Sequence, residues 1–368
     1  MKKLLRQRQV LAVLIATAVT LSFGCSGQKL GEGPGATAPG SAVQIQGSGS
    51  TFAKPIMDKW TSEFGKLNPT IRIDYQSTGS GAGIKAIQNQ TSDFGATDAA
   101  MSDDELKATT SGEIVHVPVV LGAVVLTYNL TEVKQPLKLT PQVVSDIFLG
   151  RIKNWDDPKI KKDNPDAALP SAPITPVFRA DGSGTSDVFT DFLSKTVPEW
   201  KSTVGRTKNP QLPQGVGIGG KGNEGVMGQV KNTPNTIGYV ELTFAKANNL
   251  PTALIKNKSG NFIEPNSQSV SNAAARMADK MPEDLRYEIT DADGADAYPV
   301  AGIVFVLVYK DQKDAVKGKA VADYLWWATH DGAQYLEELH YAKLPAKLVE
   351  KVEGKIKSLT NSGKSLRP

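Results

Sequence analysis

The sequence predicts an α/β protein whose sheets are flanked by helices. After Ser41, short apolar runs typical of strands alternate with stretches in which apolar residues recur at helical spacing. The chain has 368 residues, 40% of them hydrophobic, which is enough to bury a large core and to build two lobes. Its net charge is only +4, so the composition gives no sign of the basic surface that nucleic-acid binding needs.

The first part of the folded region is predicted to alternate strand and helix. Proline at position 55 opens the first helix, because a first-turn proline gives up no helical hydrogen bond. Its apolar face is made of Ile56, Trp60, Phe64 and Leu67. The flanking elements are strands at 43–46 and 71–75 and a second helix at 82–90.

Later segments repeat this scheme. Residues 114–128 are rich in strand-forming residues, and Thr140 followed by Pro141 supplies the N-cap and first-turn proline of a helix that ends near Gly150. Residues 299–309 again form a strand, followed by a helix over 320–329. Two tryptophans in that helix, Trp326 and Trp327, are expected in the core rather than in a ligand platform.

The N-terminus has the pattern of a secretory signal over residues 1–24. Four basic residues precede an apolar run, residues 10–21, which is short for a bilayer span. Cys25, the single cysteine of the chain, follows directly. Two interpretations stay open: Cys25 becomes the lipidated first residue of the mature protein, or ordinary cleavage removes it or leaves it free. Residues 26–41 are rich in Gly, Pro, Ser, Ala and Thr, which suits a tether between a lipid and a folded domain.

Three segments share one design, a turn rich in Gly, Ser and Thr that leads into a helix. The first turn of a helix has unpaired N–H groups and a dipole that favours negative charge, so each segment can offer N–H and hydroxyl donors to an anion. One such turn is an ordinary helix cap, but three in one chain favour an anion site. They are residues 47–52, 77–83 and 179–186.

The third segment begins with Arg179, whose planar guanidinium suits a tetrahedral oxyanion. Asp181 either orients that guanidinium or caps the turn. A fourth glycine-rich stretch, 215–225, resembles a nucleotide phosphate loop, but it has Gly222 where that loop needs Ser or Thr. We interpret this stretch as a surface turn.

The sequence gives little support for catalysis. His116, His330 and His340 lie far apart, have no metal-ligand spacing, and belong to no nucleophile elbow. They are expected to be structural or exposed residues. The sequence therefore predicts no enzyme activity, no cofactor and no metal.

Five segments have distinctive sequences: DFGATDA at 93–99, GRIKNWDD at 150–157, RADGSGTS at 179–186, GGKGN at 219–223 and IGYVE at 237–241. In these segments the chain resembles the PstS-type phosphate-binding proteins of bacterial phosphate importers. The similarity runs from about residue 46 to the C-terminus.

The resemblance implies a type II periplasmic-binding-protein fold, in which two α/β lobes joined by a two-strand hinge enclose the ligand. One lobe would combine 42–118 with 301–368, and the other would be 119–300. The chain would pass between lobes near Val119 and Gly302.

By position, the resemblance implies ligands from both lobes. One lobe would offer Thr51, the N–H of Phe52, Ser80 and Asp98. The other would offer Arg179, Ser183, Thr185 and the N–H of Gly184. Ser48 and Ser50 stand where alanines are common in the family.

Asp98 is unexpected beside an anion, because a carboxylate repels negative charge unless the anion carries a proton that the carboxylate can accept. Phosphate has such a proton at neutral pH and sulfate has none. We therefore interpret Asp98 as the selectivity residue. The alternative is that Asp98 caps a helix that starts near Ser102, and Asp93 is expected to be structural.

The resulting expectation is a monomeric receptor for inorganic phosphate, lipid-anchored in the periplasm or at the cell surface, that serves the transmembrane subunits of an ABC importer. Two other functions remain open: a secreted phosphatase that uses the same anion loops, and a receptor for another oxyanion such as sulfate or molybdate.

Overall fold

The structure, a computed structural model, describes residues 42–367. The signal peptide predicted at 1–24 and Cys25 with its tether to residue 41 lie outside the described residues. Along the described chain the elements are β1 (Val43–Gly49), α1 (Lys54–Leu67), β2 (Ile71–Ser77), α2 (Ser80–Gln88), β3 (Phe94–Thr97), α3 (Asp103–Lys107), β4 (Ile114–Tyr128), β5 (Lys138–Leu139), α4 (Pro141–Phe148), α5 (Pro158–Asp163), β6 (Thr175–Arg179), α6 (Gly184–Thr196), α7 (Pro198–Thr203), β7 (Ile218–Gly220), α8 (Gly222–Asn232), β8 (Thr236–Glu241), α9 (Leu242–Ala247), β9 (Leu254–Lys256), β10 (Phe262–Ile263), α10 (Ser267–Met277), β11 (Ala301–Tyr309), α11 (Ala315–Thr329), α12 (Ala346–Lys357), β12 (Thr360–Asn361) and β13 (Lys364–Ser365). Short 3-10 helices lie at Ala278–Lys280, Asp331–Tyr335 and Glu337–Leu339.

One eight-stranded sheet runs through the structure in the order β2-β1-β3-β11-β4-β8-β6-β7. We call β2, β1 and β3 its first half; these strands are parallel. We call β8, β6 and β7 its second half; they too are parallel. Strands β11 and β4 are antiparallel to their neighbours and connect the two halves. Within each half, helical crossovers join the parallel strands, as parallel pairing requires.

Strand β4 runs between the two halves of the sheet. All 15 of its residues are buried, which explains its continuous apolar sequence without polar alternation. Its first part pairs with β11 and its last five residues pair with β8. The β4–β11 register shifts where Pro118 faces Phe305, and a proline without an N–H group is tolerated at such an irregularity. The long strand thus passes from one half to the other with one local bend in its pairing.

The α/β class and the two-lobed architecture joined by two long strands are confirmed. The second helix begins two residues before the predicted start, and the strand predicted at 299–309 begins at Ala301. The lobe boundaries 42–118 with 301–368 and 119–300 stay a prediction.

The predicted apolar face of α1 is right except at its end. Ile56, Trp60 and Phe64 are buried, and the Trp60 indole N–H donates to the carbonyl of Gly332 at 2.8 Å. Leu67 is 65% exposed, so its placement on the buried face was wrong. Leu67 is the last helical residue, and the core beneath the helix ends before it.

The two tryptophans of α11 differ in environment. Trp327 is buried and packs against Phe64, as predicted. Trp326 is only partly buried: it stacks on His330 with ring centroids 4.5 Å apart, and Arg367 lies 4.4 Å from its ring. Trp326 therefore packs at the edge of the core and holds the C-terminal segment, so its predicted core position is only partly right.

Between residues 42 and 367, none of the helices has the length and apolar composition that a membrane span requires.

Helix α2 approaches the sheet so closely that Gly83→Ala should destabilise the fold. A Cβ at Gly83 would lie 2.6 Å from the Gly49 Cα and 2.8 Å from the Ala96 carbonyl oxygen, both backbone atoms that cannot rotate away. We expect a loss of about 1 to 3 kcal/mol in the free energy of unfolding, measured by urea titration. The matched control is Gly65→Ala in α1, where a Cβ meets nothing within 4 Å and a gain of roughly 0.5 to 1 kcal/mol is expected. Equal effects of the two substitutions would contradict the packing argument.

Candidate functional site

Three strand ends bring the first group of predicted residues together. Because β2, β1 and β3 are parallel neighbours, their carboxyl ends lie at one edge of the sheet, where α/β proteins commonly bind ligands. Thr51 and Phe52 follow β1, Ser80 opens the helix after β2, and Asp98 follows β3. The Ser80 hydroxyl accepts the backbone N–H of Asp98 at 3.3 Å, which links two of these strand ends.

The second group lies at the end of β6 in the other half of the sheet. Arg179 is the last residue of β6, and Ser183 is the N-cap of α6, with its hydroxyl oxygen accepting the Ser186 N–H at 3.0 Å. Gly184 and Thr185 are the first residues of that helix. The Ser183 oxygen is used as a cap, but its hydroxyl hydrogen stays available as a donor.

The two groups meet directly. The Thr185 hydroxyl donates to Asp98 Oδ2 at 3.2 Å. Gly184 lies so close to the first half that an added Cβ would be 2.5 Å from Ser80 Oγ and 2.7 Å from the Asp98 Cβ. The structure therefore brings Thr51, Phe52, Ser80, Asp98, Arg179, Ser183, Gly184 and Thr185 to the place where the two halves of the sheet face each other.

Several donors at this place are unused by the protein. Within residues 42–367, the backbone N–H groups of Phe52, Gly184 and Thr185 have no acceptor. The Phe52 carbonyl accepts the Tyr341 hydroxyl at 2.6 Å, which holds the Phe52 peptide in place. Unpaired N–H groups at helix starts attract anions because they carry partial positive charge.

Arg179 is buried and rigidly held. Its Nε and Nη2 donate to the two carboxylate oxygens of Asp181 at 2.8 and 2.6 Å, and its Nη1 donates to Thr185 Oγ1 at 3.2 Å. Asp181 also accepts the Gly222 N–H at 3.0 Å, so it orients the guanidinium and fixes a neighbouring loop. Burial raises the pKa of Asp181, but the Arg179 guanidinium outweighs it and leaves that pKa below its ordinary value.

Asp98 is a buried carboxylate with donors on both oxygens. Oδ1 accepts the Ser50 hydroxyl and Oδ2 accepts that of Thr185. Burial raises the pKa of Asp98 to about 6, although Ser50 and Arg179 act against the rise. The alternative role as a helix cap is wrong, because Ser102 caps α3 through a reciprocal bond pair with Glu105. The carboxylate of Asp98 thus belongs to the site.

The stretch 215–225 was predicted to be a surface turn, and this prediction was wrong for its second part. Residues Ile218–Gly220 form strand β7, and Asn223 in α8 is fully buried. The Asn223 side-chain amide donates to Thr51 Oγ1 at 2.8 Å and to Thr185 Oγ1 at 3.1 Å, and its backbone N–H donates to Thr51 Oγ1 at 3.1 Å.

Asn223 sets the direction of the Thr51 hydroxyl. Since the Thr51 oxygen already accepts two N–H groups, its hydrogen is left to donate to a third group. The resemblance at 219–223 was the signal that this segment is functional. The surface-turn prediction rested on the mismatch with a nucleotide phosphate loop at Gly222 and did not use that resemblance.

Other residues singled out in the sequence lie outside the site. Asp93 accepts the Gln46 N–H at 2.8 Å and pairs with Lys317 at 3.0 Å, a structural role as predicted. His116 is buried and accepts the Met101 N–H at 3.0 Å. In the described part of the chain, no three His, Cys, Asp or Glu residues group as a metal site.

Comparison with known sequences gives consistent matches over most of the chain. The PBP superfamily domain matches residues 35–330. The phosphate-binding protein PstS of Xylella fastidiosa strain 9a5c is 37% identical over 351 residues, which covers 92% of this chain and 94% of that protein.

Solved structures of low sequence identity share the fold. A high-affinity periplasmic phosphate-binding protein bound with phosphate gives a TM-score of 0.69 at 22% identity, covering 88% of this chain and 96% of that one. An ABC-type phosphate transport receptor from Vibrio cholerae gives a TM-score of 0.55 at 17% identity, covering 82% and 100%.

The raised pKa of Asp98 predicts a specific pH dependence of stability. A carboxyl with an ordinary pKa of 3.8 when unfolded and about 6 when folded binds its proton more tightly in the folded protein. Its contribution is therefore full below pH 4 and is lost as the pH rises through 6. The unfolding free energy of Asp98→Asn minus that of the parent should rise by on the order of 2 to 3 kcal/mol between pH 4 and pH 7.5.

Urea unfolding of both proteins in phosphate-free buffer at several pH values measures this difference. Any constant effect of the amide cancels because only the change with pH is compared. A difference that stays flat across this range would show that Asp98 titrates normally.

Proposed function

This chain belongs to the PstS family of phosphate-binding proteins within the PBP superfamily, and on that premise we propose that it binds inorganic phosphate between its two lobes and delivers it to an ABC-type importer. One observation carries the proposal: the Thr185 hydroxyl, whose oxygen accepts a hydrogen bond from the buried Arg179, donates to the buried carboxylate of Asp98 in the opposite half of the sheet. We propose that the lobes are 42–118 with 301–368 and 119–300.

The donor set suits a desolvated tetrahedral oxyanion. Phosphate removed from water needs most of its oxygen lone pairs filled. We propose the side chains of Thr51, Ser80, Arg179, Ser183 and Thr185 and the N–H groups of Phe52 and Gly184 as these donors.

The charges near the site do not sum to a positive pocket. Arg179 contributes one positive charge, while Asp98 and Asp181 contribute two negative charges. The bound anion is therefore stabilised mainly by N–H and O–H dipoles.

Asp98 supplies selectivity in this proposal. Its carboxylate accepts the proton of phosphate, whereas a fully ionised sulfate presents only lone pairs and negative charge to it. An acceptor facing an acceptor in a buried site is strongly unfavourable.

Ligand binding would also drive closure. Each half supplies only part of the donor set, so an anion bound to both favours the closed arrangement. Contacts between the halves support this view. They are Thr185–Asp98, Asn223–Thr51, Gly81–Gly182, Lys208–Glu105 and Arg286–Asp103.

Equilibrium binding tests the proposal. The purified folded domain should bind phosphate, arsenate should compete, and a large excess of sulfate should not. In Asp98→Asn the amide oxygen still accepts the phosphate proton while the repulsive charge is gone, so the ratio of the sulfate to the phosphate dissociation constant should fall about tenfold or more.

Calorimetric titration of both anions at one pH and salt concentration measures that ratio, and an unchanged ratio would contradict the role of Asp98. Phosphate release from a phosphate monoester by metal-supplemented protein would favour the phosphatase alternative.

We also propose that the protein is exported by the signal at 1–24 and anchored through lipid on Cys25, with 26–41 as tether, in the periplasm or at the cell surface. Cys25→Ser should move the protein from the membrane to the soluble fraction in a host that processes lipoproteins, because acyl chains supply the anchoring energy. Fractionation followed by immunoblotting measures this shift, with Ser41→Ala as the matched control that keeps the cysteine. Unchanged membrane association of Cys25→Ser would exclude lipid at this residue.

A further inference from the structure

Ser50 is a buried residue of the site that the family resemblance does not include among the ligands. It follows β1 directly, is completely buried, and its backbone is fixed on both sides. Its N–H donates to the Ala96 carbonyl at 2.9 Å, and its own carbonyl accepts the Tyr75 hydroxyl at 2.7 Å. The position of its side chain is therefore set by the sheet.

The Ser50 hydroxyl has a defined donor direction. Its oxygen accepts the Ala53 N–H at 3.0 Å and contacts Asp98 Oδ1. Since an ionised carboxylate can only accept, the Ser50 hydrogen must point to Asp98.

The two oxygens of Asp98 are held from different sides. Ser50 and Asp98 both follow strands of the first half of the sheet, so their hydrogen bond does not require closure. Thr185, which contacts the other oxygen, belongs to the second half, so the opening implied by the proposed closure would remove it from Asp98. Ser50 is thus the donor whose contact with Asp98 does not depend on the second half of the sheet.

We propose that Ser50 is a positioning residue that keeps Asp98 ionised as the acceptor of the phosphate proton and thereby sets the lower pH limit of phosphate binding. This inference rests on the proposed function. It extends that function by assigning its pH range to a residue that does not itself need to touch the anion.

The other groups around Asp98 do not replace this hydrogen bond. Arg179 supplies favourable charge, but from the second half of the sheet. Asp187 is an acidic neighbour, and the remaining titratable groups that face Asp98 oppose its ionisation when charged. These groups are Arg179 of β6, Asp187 of α6, Tyr75 of β2, Glu241 of β8 and Tyr341. Burial raises the pKa of Asp98, and the Ser50 hydroxyl counteracts it, so removing that hydroxyl should raise the pKa further.

The number of protons released when phosphate binds depends on whether Asp98 is ionised in the free protein. Where Asp98 is ionised, it accepts the hydrogen bond of dihydrogen phosphate without a net change in bound protons. Where Asp98 is protonated in the free protein, binding the same anion must release that proton to solvent. Affinity then falls up to about tenfold for each pH unit below the pKa of Asp98.

The test compares phosphate binding by the parent, Ser50→Ala and Ser145→Ala from pH 5.5 to 8. Ser145 is an equally buried serine in α4 whose hydroxyl has no partner among the described residues, so it controls for the loss of a buried hydroxyl. Calorimetry in two buffers of different ionisation enthalpy gives the affinity and the number of protons released at each pH.

Loss of a hydrogen bond to a charged group should move the acid limb of the Ser50→Ala profile upward by about one pH unit or more. At pH 6 this variant should release more protons on binding than the parent and lose about tenfold more affinity than it loses at pH 8. Ser145→Ala should follow the parent.

A Ser50→Ala profile parallel to that of the parent, with equal proton release, would overturn this inference and leave the proposed function standing. Failure of the parent itself to bind phosphate would instead overturn the proposed function, and this inference with it.

Discussion

A buried carboxylate must be surrounded by donors, and the site is arranged around this requirement of Asp98. An ionised carboxylate away from water is costly unless hydrogen bonds replace its hydration. Ser50 supplies one donor from the same half of the sheet, and Thr185 supplies another from the opposite half. The interaction that offsets the burial of Asp98 is therefore also one that joins the two halves.

The contact between the halves depends on residues that lack side chains. The Gly81 N–H donates to the Gly182 carbonyl at 2.8 Å, so two backbones touch directly. At Gly184 a Cβ would overlap Ser80 and Asp98. Glycines that look like ordinary turn residues in the sequence are thus needed because two surfaces approach to hydrogen-bonding distance.

Ion pairs at the rim of this contact are secondary. Lys208 pairs with Glu105 of α3 at 2.8 Å and this pair is partly buried, whereas Arg286 pairs at 2.7 Å with Asp103, which is 74% exposed. Exposed pairs of this kind are worth about 0 to 1 kcal/mol. The buried hydrogen bonds of Thr185 and Asn223 therefore contribute more to the fit between the halves than the exposed Arg286–Asp103 pair does.

The sequence by itself was enough to predict the fold class, most elements and the location of the candidate site. Apolar periodicity and turn chemistry gave the α/β class and most elements, and the three Gly, Ser and Thr turns located the candidate site, because helix starts and strand ends are local features. Local patterns failed where burial depends on distant neighbours. Leu67 continues an apolar face but lies past the edge of the core, and Trp326 packs against Arg367 from the chain terminus.

Only the tertiary structure decided which polar atoms satisfy one another. Asn223 follows a glycine pattern that looked like a surface turn, yet it joins Thr51 and Thr185, which are 172 and 38 residues away. Ser50 and Asp98 are 48 residues apart, and their contact exists because β1 and β3 are parallel neighbours that end together. A sequence specifies which groups can donate and accept; strand order and the approach of the two halves decide which donor reaches which acceptor.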